Sequence, residues 1–170
     1  MTMISEKMAE ILNKHMNAEF YSSYLYLSMS AYASSKGWRG ASSWLYVQAQ
    51  EEMIHVQKLY VYIDDQGARV ELYAIEKPPV EFGTPLELFT GVLDHERKVT
   101  GLVRDLVTAA LAEADHATET FLQWFVTEQT EEEKNCRDIL DRLKLAGETG
   151  PGLFMIDNEL GARVLTPPAP

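Results

Sequence analysis

Residues 124–134 read WFVTEQTEEEK, in which four glutamates fall within six positions, directly after Trp, Phe and Val. A solvated charge run does not need aromatic neighbours, so the direction in which these glutamates face decides the fold. Apolar residues at three- and four-residue steps predict an α-helix with one buried face. Glu128 and Glu132 lie on that face, Glu131 lies beside it, and Glu133 is expected to point to solvent.

A glutamate also interrupts the apolar face of three further segments with helical periodicity. The interruptions fall near the middle of each segment, at Glu19, Glu52 and Glu96, which matches the position of Glu132 in the fourth. His55 follows Glu52 by three residues, and residues three apart are neighbours on a helix. The sequence therefore predicts that four glutamates and one histidine converge inside a helical bundle.

Loop lengths set the predicted topology. The first and second helices, and the third and fourth, are joined by a few residues and should be antiparallel neighbours. The connection at about residues 67–83 is long enough, when extended, to run the full length of the bundle. The predicted fold is all-α, a four-helix bundle with one long crossover connection and a short fifth C-terminal helix, in a single domain over residues 1–170. The helices are expected at about 4–35, 39–66, 84–113, 116–146 and 153–160, with a disordered tail at about 165–170.

Glycines and one capping motif define the expected helix ends. Gly37, Gly67 and Gly147 suit the position after a helix C-terminus, where a positive φ is easy for glycine. The TPLE motif at residues 84–87 predicts a capping box with proline in the first turn of the third helix. A breaker at residues 150–152 separates the fourth helix from the fifth.

The buried glutamates need a counter-charge. An unpaired carboxylate in a core is unfavourable by several kcal/mol, and the lysines and arginines fall on the other faces of these helices. Glutamate and histidine on facing helices suit hard or borderline cations such as Fe or Mn. Two divalent ions would balance the four carboxylates, so the pattern predicts a metal centre within the bundle.

Composition excludes several other functions. The net charge of −11 argues against nucleic acid and anionic membranes as partners, and it suits cations. The single cysteine, Cys136, excludes a disulfide framework and a CxxC metal site. The longest uncharged stretch, residues 20–35, is short for a membrane span and contains several Ser and Tyr. We expect a soluble, cytoplasmic protein.

Three more side chains lie near the predicted centre. His15 is interpreted as a core or interface histidine, and Trp124 as a packing residue beside the site. Tyr26 lies two turns from Glu19 on the same face, where its pattern is that of a core residue. Its hydroxyl is also well suited to hydrogen-bond a ligand carboxylate.

Four stretches together resemble the ferritins, specifically the non-haem bacterial type. They are NAEFYSSYLY (17–26), AQEEMIH (49–55), LDHE (93–96) and FLQWFVTEQTEEEK (121–134). The resemblance covers nearly the whole chain, including the short fifth helix. It implies a ferritin-like bundle that holds a ferroxidase centre.

The resemblance also implies the ligands of that centre. The first iron would be held by Glu19, Glu52 and His55, and the second by Glu52 as a bridge with Glu96 and Glu132. Tyr26 would be the tyrosine of the site, and Gln129 a neighbour of its ligands. A third iron site close by would fall on Glu51, Glu128, Glu131 and Glu132.

The implied function is iron storage. Fe(II) would be oxidised by dioxygen or hydrogen peroxide, and ferric oxyhydroxide would be deposited in a hollow shell of 24 subunits. The acidic charge of the chain would favour cation uptake and mineral nucleation. The fifth helix is too short to be stable alone and would dock near a symmetry axis of the shell.

Bacterioferritin is the nearest alternative, because a methionine in its first Glu-x-x-His motif ligates haem between two subunits. Met53 occupies the matching place here. The second motif departs from that family, since Glu128-Gln129-Thr130-Glu131 has no histidine. We therefore expect the non-haem type, with no haem.

Proteins of different classes fit the sequence less well. A di-iron oxidase acting on an organic substrate would need a second Glu-x-x-His motif, and rubrerythrin-like chemistry would need a cluster of cysteines. A purely structural bundle would have no reason to bury these carboxylates.

Overall fold

A computed structural model describes residues 3–147 and 149–166, and these residues form five α-helices and no strand. The helices are α1 (Glu6–Ser35), α2 (Arg39–Asp65), α3 (Pro85–Ala112), α4 (His116–Ala146) and α5 (Pro151–Leu160). α1 packs along α2, α3 packs along α4, and α1 also contacts α3. The predicted fold class, a bundle of four long helices with a short fifth helix, is confirmed.

The helix ends lie within two residues of the predicted ones. The largest differences are two residues: α1 begins at Glu6 rather than at residue 4, and α5 begins at Pro151 rather than at residue 153. Proline is tolerated in the first turn of a helix because its missing N–H has no intrahelical partner there. The expected breaker is therefore the start of the helix. Of the predicted disordered tail, Leu165 and Thr166 lie outside any helix, and residues 167–170 lie outside the described residues.

Capping side chains and glycines fix the ends of the long helices. The Ser5 hydroxyl accepts a hydrogen bond from the Met8 N–H at the start of α1. The predicted capping box is present at Thr84 and Glu87. Gly37 follows α1 with a φ of 84°, a conformation that residues with a Cβ rarely adopt.

The crossover connection runs along α1. Residues 68–84 have no helix or strand. The Asn13 side-chain amide donates to the Arg69 carbonyl oxygen at 3.0 Å, and the Tyr32 hydroxyl donates to the Gly83 carbonyl oxygen at 2.8 Å. At about 1.5 Å of rise per residue, these two bonds are separated by roughly 28 Å of helix. The connection therefore returns the chain along the bundle, as its length predicted.

The buried apolar side chains form two separate clusters. One contains residues from the α5 end of the bundle, such as Leu45, Phe89 and Leu140. The other contains Leu12, Leu59 and Phe125. Each long helix passes from one cluster to the other across a buried glutamate, at Glu19, Glu52, Glu96 and Glu132. The core is thus divided by a polar layer.

α5 docks on the start of α2 through Asp157. Its carboxylate accepts hydrogen bonds from the backbone N–H groups of Gly40 (2.9 Å) and Ala41 (2.8 Å). A carboxylate at this position satisfies free N–H groups of the first turn and favours the positive end of the helix dipole. Ile156 and Leu160 are buried in the core cluster at this end. The docking fixes where the chain after α5 begins.

Gly40 allows this close approach, so we expect Gly40→Ala to displace α5. A Cβ at this position would overlap the Asp157 carbonyl oxygen, and backbone must move to accept it. We expect a loss of about 2 kcal/mol or more in unfolding free energy, together with faster amide hydrogen exchange in α5. Denaturant unfolding and hydrogen-exchange mass spectrometry measure these two quantities.

Gly101→Ala is the matched control. A Cβ at Gly101, within α3, would meet no atom within 4 Å. Because alanine is the better helix former, this variant should gain about 0.5–1 kcal/mol. Unchanged exchange in α5 of the Gly40→Ala protein would contradict the proposed packing.

Within the described residues, no helix combines the length and the apolar character needed to span a membrane.

Candidate metal centre

Four helices bring the five predicted ligands of the di-iron centre together. The side chains are no more than 4% exposed and come from every long helix: Glu19, Glu52, His55, Glu96 and Glu132. We call this group the buried centre. It forms because each residue occupies a core position of its helix at the depth where the two apolar clusters separate.

Glu19, Glu52 and His55 form one half of the buried centre. His55 Nδ1 lies 3.1 Å from Glu52 Oε2 and 3.7 Å from Glu19 Oε2. Each of the three residues offers a ligand atom within 4.8 Å of the others. One metal ion could therefore contact all three side chains with small movements.

Several polar atoms of the buried centre have no hydrogen-bond partner among the described residues. They include both carboxylate oxygens of Glu19, Nδ1 of His55 and Oε2 of Glu132. The short separations from His55 to the carboxylates are not aligned as hydrogen bonds. Buried polar atoms are rarely left unpaired, so this arrangement fits a bound cation. Carboxylate oxygen and imidazole nitrogen are ligands suited to Fe or Mn.

Neighbouring side chains hold the second half of the buried centre. The Tyr26 hydroxyl donates to Glu96 Oε1, and the Gln129 amide donates to Glu96 Oε2 at 3.0 Å. The Gln48 amide donates to Glu52 Oε1 at 3.1 Å. Such contacts fix the orientation of carboxylates that bind a metal. Tyr26 and Gln129 therefore lie where they were predicted, and Gln48 adds a contact that was not predicted.

Burial controls the protonation of the metal-free centre. It is the main cause that raises the pKa of Glu52, Glu96 and Glu132 to about 8, and the neighbouring carboxylates act in the same direction. Burial also opposes ionisation of Glu19, but His15 and His55 hold its pKa below the ordinary value. Without a cation, the centre therefore retains protons at neutral pH. A bound cation would displace them.

Aromatic rings enclose His55. Its ring is edge-on to Trp124, with a centroid separation of 5.4 Å, and to Phe125, at 5.9 Å. Burial lowers the pKa of His55, but the nearby Glu52 and Glu19 outweigh it and raise the pKa well above the ordinary value. Trp124 packs beside the site, as predicted.

Two further histidines lie close to the buried centre. His15 Nε2 is 2.9 Å from Glu19 Oε1, and both ring nitrogens lack an aligned hydrogen-bond partner. The interpretation of His15 as a core histidine missed this contact, although its four-residue spacing from Glu19 places both on one face. His95 Nε2 lies 2.8 Å from the Ser22 hydroxyl, and burial lowers the pKa of His95 to about 4. His95 is therefore neutral at physiological pH.

A second group of carboxylates adjoins the buried centre. Glu51, Glu128 and Glu131, with the shared Glu132, line a cavity of about 370 Å³. We call these four residues the outer carboxylate cluster. His55, Glu128 and Glu132 offer ligand atoms within 4.8 Å of one another. The residues predicted for a third ion therefore line one cavity, with Glu128 half-buried and Glu131 exposed.

One expectation about a charged side chain was wrong. Glu133 does not point freely to solvent, because its carboxylate accepts a hydrogen bond from Thr100 at 2.8 Å and pairs with Arg137 at 3.1 Å. One ion pair was not predicted: Arg163, which lies outside the four long helices, pairs with Glu51. Arg163 lies beyond α5, where the periodicity of the four long helices carries no information about its position.

Comparison with known proteins agrees with this geometry. The family described as ferritin-like domain matches residues 9–146. The bacterial non-heme ferritin of Escherichia coli O6:H1 is 44% identical over 158 residues, which cover 93% of this chain and 96% of that protein. The bacterial non-heme ferritin of Bacteroides fragilis strain 638R is 45% identical over 161 residues, covering 95% of this chain and 100% of that protein. An open-pore ferritin structure from the hyperthermophilic archaeon Archaeoglobus fulgidus superposes with a TM-score of 0.94 at 48% identity, covering 96% of this chain and 100% of that one.

Proposed function

Because the chain belongs to the ferritin family, we propose that it stores iron by oxidising Fe(II) at the buried centre. The observation that carries this proposal is the buried centre itself: four helices each contribute a buried carboxylate, and several ligand atoms have no aligned hydrogen-bond partner among the described residues. A structural bundle would gain nothing from leaving these atoms unpaired. Two Fe(II) ions, bound as substrates, would supply the missing charge.

In the proposed assignment, each iron has its own set of ligands. Glu19, Glu52 and His55 hold the first ion, and Glu52 bridges to the second ion. Glu96 and Glu132 complete the second set. Tyr26 and Gln129 orient Glu96, and Gln48 orients Glu52, through the hydrogen bonds described above. A centre with ligands held in this way needs little reorganisation when the ions arrive.

The reaction balances in two steps. Two Fe(II) ions give two electrons to dioxygen, which takes up two protons and forms hydrogen peroxide; with hydrogen peroxide as oxidant, the product is water. Each Fe(III) ion then reacts with two water molecules to form ferric oxyhydroxide and releases three protons.

The remaining expectations belong to the same proposal. The outer carboxylate cluster would hold a third iron, and copies of the chain would form a shell of 24 subunits around a mineral core. The protein would act in the cytoplasm as a non-haem ferritin. Its net charge of −11 favours the approach of cations over that of anions.

Aerobic loading with Fe(II) in large excess over protein tests storage directly. Size-exclusion chromatography with iron quantified in each fraction should show many irons per chain, eluting with a very large assembly. As a control for precipitate that adheres to the protein, Fe(II) is first oxidised without protein, and the resulting Fe(III) is then mixed with the metal-free protein. Two or three irons per chain on a small oligomer would contradict storage and favour a di-iron redox enzyme.

A further inference from the structure

The chain after α5 returns to the buried centre. α5 is held by Asp157 on the start of α2 and by an ion pair between Glu159 and Arg142 of α4. The residues that follow lie beside the outer carboxylate cluster, where Arg163, Val164 and Thr166 line its cavity. The docking of α5 therefore fixes the position of Arg163 within the bundle.

Contacts with Glu51 and with Trp44 hold the Arg163 side chain in place. Its guanidinium forms an ion pair with Glu51, and each of these side chains is 18% exposed. The guanidinium carbon lies 4.2 Å from the centre of the Trp44 ring, in a cation–π contact. A guanidinium nitrogen also lies 3.5 Å from the Trp44 carbonyl oxygen. These contacts make Arg163 an ordered part of the cavity wall.

The cavity has an excess of negative charge. Four carboxylates line it, against two basic side chains among its described lining residues, Arg163 and His55, of which Arg163 is the one lysine or arginine. Arg163 engages Glu51, while Oε2 of Glu132, which is buried, has no hydrogen-bond partner among the described residues. The cavity is thus lined by one carboxylate that is paired with a cation, Glu51, and by another, Glu132, with an oxygen that lacks a hydrogen-bond partner.

We propose that Arg163 is the resident counter-cation of the outer carboxylate cluster and competes with a metal ion for Glu51. A metal ion in the outer carboxylate cluster must either share Glu51 with the guanidinium or displace the guanidinium from Glu51. Two positive charges bound to one carboxylate repel each other. The occupancy of the outer cluster is therefore set by Arg163, which belongs to the segment held by α5. This inference rests on the proposed function only in its identification of iron as the natural ion.

The competition predicts that Arg163→Gln strengthens metal binding at the outer cluster. Glutamine removes the charge and keeps hydrogen-bonding groups. We expect the third Zn(II) ion per chain to bind at least about tenfold more tightly in the variant. The repulsion between the ion and a unit charge close to it in the protein is larger than the free energy that corresponds to a tenfold change in affinity. Isothermal titration of the assembled, metal-free protein with Zn(II), which has no redox chemistry, measures this affinity.

Two variants assign and control the measurement. Glu51→Gln should remove the third binding event and leave the two tighter ones, which identifies the event with the outer cluster. Arg97→Gln removes an exposed arginine ion pair with Asp94 within α3, far from α5 in the chain, and does not line the cavity, so it should titrate like the parent protein. An unchanged or weaker third event in Arg163→Gln would overturn the proposal and make Arg163 a structural tie.

The parent protein offers a second test that needs no substitution. Hydrogen exchange of residues 161–166 should accelerate as the third Zn(II) ion binds and stay constant during the first two. Constant exchange throughout would overturn the competition. If the parent protein does not bind two Zn(II) ions tightly, this result would instead count against the di-iron centre. The two hypotheses therefore fail separately.

Discussion

Glu52→Ala should lower the initial rate of Fe(II) oxidation by at least about 100-fold while the protein still assembles. Glu52 is 2% exposed, lies 3.1 Å from His55 Nδ1 and is oriented by Gln48. In the proposed centre it bridges both irons, so its loss removes a ligand from each. Residues that only orient ligands contribute about 10- to 100-fold, and a bridging ligand should contribute more.

Assembly should survive this substitution because the carboxylate is buried unfavourably in the metal-free protein. Removing a buried ionisable group relieves its desolvation, which offsets part of the lost packing. Stopped-flow absorbance after mixing two Fe(II) per chain with oxygenated buffer measures the rate, and size-exclusion chromatography measures assembly. Glu10→Ala is the control, since Glu10 forms only an exposed pair with Lys14. A parental initial rate in the Glu52→Ala protein would refute the assignment.

The metal-free protein should lose stability by several kcal/mol as the pH rises from about 5 to about 9. Burial raises the pKa of Glu52, Glu96 and Glu132 to about 8 in the folded chain, against an ordinary value of 4.5. Groups with a raised pKa in the folded state stabilise it below the unfolded pKa, and this contribution is lost as the pH passes through the folded value. The elevated pKa of His55 acts in the same direction.

A divalent ion should remove this pH dependence, because it replaces the protons as the counter-charge. Guanidinium unfolding at pH 6 and at pH 9, with chelator and with saturating Zn(II), measures the four free energies needed. Glu96→Gln should shrink the difference between the two pH values in the metal-free protein, whereas Glu10→Gln should leave it unchanged. Equal stability of the metal-free parent at both pH values would show that the carboxylates are ionised without a metal.

Much of the fold follows from local spacing. The three- and four-residue steps of apolar residues predicted the buried faces of all four long helices, and the loop lengths predicted their pairing. The position of the buried carboxylates along each helix followed from the same three- and four-residue spacing. Glu19, Glu52 and Glu96 lie on the same helix face as the apolar residues before and after them, so one helical register buries both.

Contacts between distant segments were harder to predict. Arg163 and Glu51 are 112 positions apart, and their ion pair depends on how α5 packs, which no periodicity encodes. The start of α5 differs from the predicted one because Pro151 occupies the first turn of the helix and does not break it. The angular position of Glu133 on α4 predicts exposure to solvent, but its long side chain reaches across to Thr100 on α3.

The polar layer that divides the core also has a consequence for how the sequence can diverge. Substitutions in the apolar cluster around Leu12 and those in the cluster around Leu140 share few direct partners, and effects at well-separated sites usually add. Each end of the bundle can therefore accumulate substitutions that are compensated by other substitutions within the same apolar cluster. Substitutions within the cluster that α5 completes need not disturb the packing of the opposite end, and the carboxylates between the two clusters stay in register with both.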